Sequence, residues 1–458
     1  VHLARNSSEI INSITSKTSA VASGVFLPTL NLISSVILLI GIMSILFSIN
    51  ASVAFIASLG FGTIYGFVIM FTRTHLKKNS ITVAKNSTQM VKTIQEGLGG
   101  IRDVLIDGSQ DYYCELYRDA DLPLRRALAG NTFIGGSPRY AMEAIGIALI
   151  ASLAYFLTQQ DGGATGAIPV LGAMALGAQR LLPAFQQSYG AYSAIKGSQE
   201  SFEDVLVLLN QALPGDFHHS SSDIMKFEKE IKLTNLSFHH RKEGPYILKN
   251  IDITIAKGSH FGFVGVTGSG KSTLLDLIMG LLIPTDGKLM VDGELISNKN
   301  RRAWQANIAH VPQTIYLSDR TIEENIAFGV PKNEIDHRRV TKAAEQAHIS
   351  QIINGWDDGY QTIVGEQGVR LSGGQRQRVG IARALYKKAD VLIFDEATSA
   401  LDHETEQIIM GEIGNLSKDL TILIIAHRLT TLKDCDHIVR VDKQSIIKSG
   451  TYKEVISG

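Results

Sequence analysis

Apolar residues are unevenly distributed along the 458-residue chain, and residues 18–72 contain no Asp, Glu, Lys, Arg or His. A helix crossing a bilayer needs about 20 residues. The run therefore predicts two spans joined by a tight turn, placed at residues 48–52. A helical hairpin buried in a soluble protein needs a charged outer face, and no face of this run has one. Lys17 precedes the first span, and Arg73, His75, Lys77 and Lys78 follow the second. That cation bias puts both ends in the cytoplasm and the Asn50 turn outside. A polar, helix-prone stretch at 79–128 follows. Gly97, Gly99, Gly100 and Gly108 predict breaks within it. Two more spans are expected at 132–158 and 164–195, with the outer turn at 159–163.

These later spans carry charge: Arg139 and Glu143 in the third, Arg180 in the fourth. Each costs about 2.5–3.5 kcal/mol at a bilayer centre on insertion scales. Arg139 and Glu143 are four apart and share a helix face. Two readings stay open, a polar path through the bundle or a structural ion pair near the inner boundary. Pro169 and Pro183 predict kinks in the last span. Residues 200–223 read as a connection, with turn residues Pro214-Gly215 and Ser220-Ser221-Ser222. The expected organisation is a helical membrane domain at 1–210, a linker at 211–226 and a soluble α/β domain at 227–458.

In the second half, short apolar runs between 231 and 261 alternate with polar residues and read as strands. The run Phe261-Gly262-Phe263-Val264 feeds into Gly265-Val266-Thr267-Gly268-Ser269-Gly270-Lys271-Ser272-Thr273, a phosphate loop between a strand and a helix. Its glycines let successive N–H groups point at phosphate oxygens, and the helix start adds positive potential. Lys271 is placed for the β- and γ-phosphates and Ser272 for Mg²⁺. Val391-Leu392-Ile393-Phe394 reads as a buried parallel strand that presents Asp395 and Glu396 at its end. Asp395 is expected to organise Mg²⁺ and Glu396 to act as general base.

Leu371-Ser372-Gly373-Gly374-Gln375, downstream of that loop and upstream of the acid pair, resembles the signature of ATP-binding-cassette (ABC) proteins. The resemblance extends over residues 231–458. It implies a P-loop NTPase fold that binds ATP and Mg²⁺. By the same resemblance Gln313 is the Q-loop glutamine that senses Mg²⁺ and touches the membrane half. Residues 362–368 resemble the segment before the signature in exporters. Ser399-Ala400-Leu401-Asp402 resembles the D-loop, and His427 the switch histidine at the γ-phosphate. The family's adenine-stacking aromatic is His240 here, with Tyr246 as a substitute. The family pairs Ser372, Gly373, Gly374 and Gln375 of one chain with nucleotide held by a second. A partner half-transporter, most simply an identical chain, is therefore implied.

The membrane half resembles exporter subunits at Arg5-Asn6-Ser7-Ser8-Glu9-Ile10 and at 101–115. Those subunits have six spans; four are counted here, so two are expected to be missing ahead of Val1. Residues 137–143 resemble a stretch in lipid-linked oligosaccharide flippases and polysaccharide exporters, which implies a glycolipid cargo. The alternatives are a peptide, drug or lipid exporter, or a membrane-anchored ATPase that moves nothing. Balanced charge, 44 basic against 44 acidic residues, gives no basic excess for nucleic acid. The two cysteines, Cys114 and Cys435, fit a reducing cytosol better than a disulfide framework. The resulting expectation is an integral protein of a bacterial inner membrane with the cassette in the cytoplasm.

Overall fold

The computed structural model describes residues 6–457 apart from 50, 159–162, 212–223, 242–243, 398–401, 415–418, 427 and 443. The chain forms two compact units, Val1–Ala212 and Leu213–Gly458.

The first unit is helical. Helix α1 (Ser7–Asn12) continues through π-turns Ser13–Lys17 and Ala22–Phe26, with α2 (Thr18–Val21) between them, into α3 (Leu27–Ile49). The stretch Ser7–Ser48 is long and apolar enough to cross a membrane, and only 6% of its most apolar window is buried. Leu30, Ile33, Ile37 and Ile40 point outward. That suits lipid and not water.

The next helix, α4 (Ala51–Gly99), is 49 residues long. At 1.5 Å per residue it measures about 74 Å, more than twice a bilayer core. The second span and the polar stretch after it are thus one rod. The change of composition at Arg73 marks the exit from the apolar region and not a helix end. The break comes at the glycines: α5 (Ile101–Ile106) is a short element, and Gly108 adopts φ +64° before α6 (Gln110–Gly136) turns back. Helices α7 (Pro138–Thr158) and α8 (Gly163–Gly197) follow, then α9 (Gln199–Leu209).

Contacts across the bundle set the depth of the charged residues. Asn79 Nδ2 donates to Asn131 Oδ1 at 2.9 Å. Tyr189 Oη lies 3.2 Å from Thr72 Oγ1 and 3.1 Å from Ile134 O. Tyr65, Met142 and Tyr189 are buried together. Met142 is therefore level with Tyr65, about two turns inside the Arg73 boundary. Arg139 Nε donates to Glu143 Oε1 at 2.9 Å, and the Arg139 side chain is 61% exposed. The two do pair on one helix face. An ion pair exposed at that depth fits a hydrated interior or another chain, because lipid tails cannot solvate it.

The connection expected at 200–223 begins differently: its first part is α9, packed onto the bundle. Ser80 Oγ accepts from Glu200 N at 2.9 Å, and Lys17 Nζ donates to Asp204 Oδ2 at 2.5 Å. Lys17 is only 6% exposed at its side chain, against 43% for Asp204. Removing the acid strands a buried cation, whereas removing the lysine leaves a carboxylate that water can reach. Asp204→Ala is expected to cost about 3 kcal/mol and Lys17→Met much less. Thermal unfolding of the detergent-solubilised protein checks this; equal losses would contradict the burial asymmetry.

The second unit has two sheets. One is antiparallel, in the order β2-β1-β4-β5, built from β1 (Glu230–Phe238), β2 (Leu248–Ala256), β4 (Asp286–Val291) and β5 (Glu294–Leu295). The other has the order β10-β9-β3-β8-β7-β6. It contains β3 (His260–Val264), β6 (Ile308–Val311), β7 (Val391–Asp395), β8 (Thr421–Ile425), β9 (His437–Asp442) and β10 (Ser445–Gly450). All its pairings are parallel except the edge hairpin β9–β10. Helices cover both faces of a parallel core, so its strands are apolar throughout, as in Val391–Phe394. One apolar core joins the two sheets around Phe263, Leu274 and Trp304. The other packs the helices Ile322–Ile326, His337–Gln346 and Gly373–Lys387 against the opposite face.

His310, in β6, has a buried Nε2 with no hydrogen-bond partner, and burial holds its pKa below the ordinary 6.5. A depressed base binds more protons when unfolded. Its stability contribution is therefore complete above about pH 6.5 and shrinks as pH falls toward the folded value. His310→Leu is expected to flatten the acid side of the stability–pH curve, measured by denaturant midpoints between pH 7 and 5.

Candidate nucleotide site

Strand β3 ends at Val264, and the chain then turns through Gly265, Gly268 (φ +81°) and Gly270 (φ +98°) before the helix Lys271–Ile278. The positive φ values at Gly268 and Gly270 are ones that side chains rarely tolerate. A Cβ on Gly265 would lie 2.1 Å from Val441 O, so the loop also hugs β9. Lys271 is buried and its Nζ donates to Gly265 O at 2.9 Å and Val266 O at 3.0 Å. Its ammonium is thereby held over the loop. Ser269 Oγ is buried without a partner, a polar atom that a phosphate oxygen would satisfy.

Strand β7 lies between β6 and β8 and ends beside this loop. Ser272 Oγ donates to Asp395 Oδ1 at 3.3 Å. Burial raises the Asp395 carboxyl above its usual range, with Glu396 and Asp276 adding to the effect. Glu396 adopts φ +51° and its N–H donates to Ile425 O at 3.0 Å, fixing the side chain's exit from the strand. Gln313 Nε2 donates to Glu396 Oε2 at 2.6 Å. A hydroxyl, a carboxylate and an amide therefore gather at the loop. This all-oxygen donor set fits a hard cation such as Mg²⁺. Loop, lysine and donor set together fit Mg-ATP.

Ser372 caps the helix Gly373–Lys387 through a capping box: Gln375 N donates to Ser372 Oγ at 3.2 Å, and Ser372 N to Gln375 Oε1 at 2.9 Å. The N–H groups of Gly373 and Gly374 fall in the first helical turn, where the helix itself offers no acceptor. Asp402 accepts from Thr405 N at 2.8 Å and Thr405 Oγ1 at 2.7 Å, and these bonds lower its pKa. Here it caps the helix His403–Gly414, a structural duty beyond the D-loop expectation. Ser399 and His427 lie outside the described residues. His240 is exposed, with its ring edge-on to Phe238 at 5.1 Å. Tyr246 packs edge-on to His239 at 5.4 Å. Both aromatic candidates thus stand at the end of β1.

Motif reading missed Arg383. Its Nε donates to Asn325 O and its Nη1 to Tyr316 O, both at 2.9 Å, and the guanidinium stacks on Phe328 at 4.5 Å. Burial pushes its pKa down to about 10. Arg383 thereby ties the chain after Gln313 to the signature helix. Its signal in the sequence was a cation flanked by Ala382, Ala384 and Tyr386, all of which are buried.

A phosphate loop on a parallel sheet, an acid pair at the adjacent strand end and a capped signature helix define an ABC-type nucleotide-binding domain. The ABC transporter family matches residues 248–399, and the ABC transporter transmembrane region matches residues 1–164. The chain belongs to the ABC transporters and has the half-transporter architecture of exporters, a helical transmembrane domain followed by an ATP-binding cassette. It is 41% identical over 243 residues to the leukotoxin export ATP-binding protein LtxB of Aggregatibacter actinomycetemcomitans, covering 53% of this chain and 34% of that protein. It is 40% identical over 244 residues to the alpha-hemolysin translocation ATP-binding protein HlyB of Escherichia coli, with the same shares. The match thus spans about a third of these curated relatives' length. A bacterial Atm1-family ABC exporter with ATP bound superposes with a TM-score of 0.84 at 26% identity, covering 100% of this chain and 79% of that one.

Proposed function

We propose that the protein is one subunit of an ATP-driven exporter working as a dimer, most simply of two identical chains. The reading is carried by one observation: a phosphate loop with Ser272 against Asp395 and Gln313 against Glu396, in a chain that also carries a transmembrane region. Gly265, Thr267, Gly268, Ser269, Gly270 and Thr273 would cradle the phosphates by backbone N–H groups, and Lys271 would neutralise the β- and γ-phosphates. His240 would stack on adenine. Ser272, Asp395 and Gln313 would hold Mg²⁺, which would neutralise charge on the phosphoryl oxygens. Glu396 orients the attacking water and takes its proton, while His427 contacts the γ-phosphate. Ser372, Gly373, Gly374 and Gln375 present their helix start to the γ-phosphate held by the partner chain, with Asp402 at the same junction. Binding would hold two cassettes together, and hydrolysis would release them. That cycle fits a membrane location with the cassettes in the cytoplasm, as in a bacterial inner membrane.

For cargo, the relatives LtxB and HlyB are named for leukotoxin export and alpha-hemolysin translocation. They favour a polypeptide. The glycolipid reading rests on residues 137–143 alone, and neither of these two relatives supports it. The test is reconstitution of the full-length protein in bacterial-lipid vesicles with Mg-ATP. A secreted polypeptide from the same genome is expected to stimulate ATP turnover and to accumulate inside inverted vesicles. Turnover that no polypeptide stimulates, with no uptake, would favour an anchored ATPase; stimulation by a lipid-linked glycan would restore the discarded cargo.

A further inference from the structure

At the end of the cassette's parallel sheet away from the phosphate loop, a cleft of about 470 Å³ opens between the helices His337–Gln346 and Gly373–Lys387. It lies against the residues entering β6, β7 and β8, whereas the phosphate loop and Glu396 follow the carboxyl ends of β3 and β7. Its volume suits a small ligand.

The lining carries four cations against three carboxylates. Arg338, Arg339 and Lys342 come from one helix, and Lys388 from the C-cap of the other. Lys342 is three and four residues beyond Arg339 and Arg338, so the three share a face. Among the described residues none of these four cations is in an ion pair. Three carboxylates, Asp336, Asp390 and Asp419, also line the cleft. Asp336 is occupied in capping, accepting from Arg339 N at 3.2 Å.

Two features mark the site as one built for an anion. Arg338 and Arg339 stand in the first turn of their helix, directly after its N-cap residue Asp336. Cations there oppose the helix dipole, and a local conflict of that kind is characteristic of functional positions. In addition, Arg339 is fixed by its guanidinium stacking on the Tyr386 ring at 4.4 Å, while its buried Nε has no hydrogen-bond partner. A buried guanidinium N–H lacking an acceptor is costly, and an anionic oxygen would relieve it.

We infer that this cleft binds a small phosphate-bearing anion, held by Arg338, Arg339, Lys342 and Lys388 and separate from the nucleotide site. The helix Gly373–Lys387 carries Ser372 at one cap and Lys388 at the other. The ligand therefore sits on the same rigid element as the signature.

The experiment is calorimetric titration with tripolyphosphate of the full chain carrying Lys271→Ala, which weakens the phosphate loop as a competitor. The protein is held in phosphatidylcholine nanodiscs. One site per chain is expected. Lys342→Gln with Lys388→Asn should weaken it at least tenfold; both positions are exposed, and asparagine suits the left-handed backbone of residue 388. Arg339→Gln should weaken it similarly. No heat up to 10 mM ligand, or an affinity unchanged in the double variant, would overturn the site. Adding phosphatidylglycerol to the discs separates two phosphate sources: loss of tripolyphosphate binding assigns the site to lipid headgroups, and persistence assigns it to a soluble anion. The binding measurement does not depend on whether the protein exports anything.

Discussion

Replacing Glu396 by glutamine is expected to slow ATP turnover by about 10²–10⁴-fold, the contribution typical of a positioned general base. The substitution keeps the volume of the side chain and the N–H of residue 396 that donates to Ile425 O. It also keeps a polar partner for Gln313, which now bonds Glu396 Oε2 at 2.6 Å. What it removes is a group able to accept a proton from water. ATP affinity should therefore change little, and the variant should accumulate as nucleotide-bound cassettes. Phosphate release and equilibrium binding of labelled ATP, measured on one preparation, separate the two effects. Turnover within tenfold of the parent would remove Glu396 as base.

Lys271→Ala is expected to act on binding instead. Lys271 is buried, and its ammonium bonds two loop carbonyls, Gly265 O and Val266 O. Its loss leaves both carbonyls short of a donor and takes away the charge-assisted bond that the ammonium would make to the phosphates, worth about 1.5–3 kcal/mol. At about 3 kcal/mol, ATP affinity falls roughly 150-fold. The fold should persist, since the surrounding Leu274, Leu275 and Leu277 are untouched. Titration with ATP checks the affinity, and circular dichroism checks the fold. Near-parental affinity would mean that the loop's N–H groups and helix dipole alone hold the phosphates.

Much of this protein was legible in its sequence because the relevant signals are local. The phosphate loop is nine consecutive residues, 265–273. Its glycines, its lysine and the flanking strand and helix need no distant partner to be recognised. The apolar run 391–394 showed a doubly covered strand for the same reason. The membrane half was legible through the physics of lipid: a charge-free run longer than any soluble helix tolerates. Composition alone, however, did not show that the second span and the polar stretch after it form one continuous helix. Polarity reports the surroundings of a helix, while its backbone hydrogen bonds continue, so α4 runs unbroken through both.

Sequence by itself determined the kinds of chemistry available: a phosphate cradle, an acid pair at a strand end, a signature helix and a membrane-embedded segment. Only the tertiary structure decided which groups meet. Ser272 reaches Asp395 across 123 residues, Gln313 reaches Glu396 across 83, and Lys17 reaches Asp204 across 187. The contacts of Arg383 and the cleft beyond the signature helix arose at the same level. Contacts of that range depend on strand order and helix packing, which collect the apolar surface of the whole domain at once. No local window of residues carries that information.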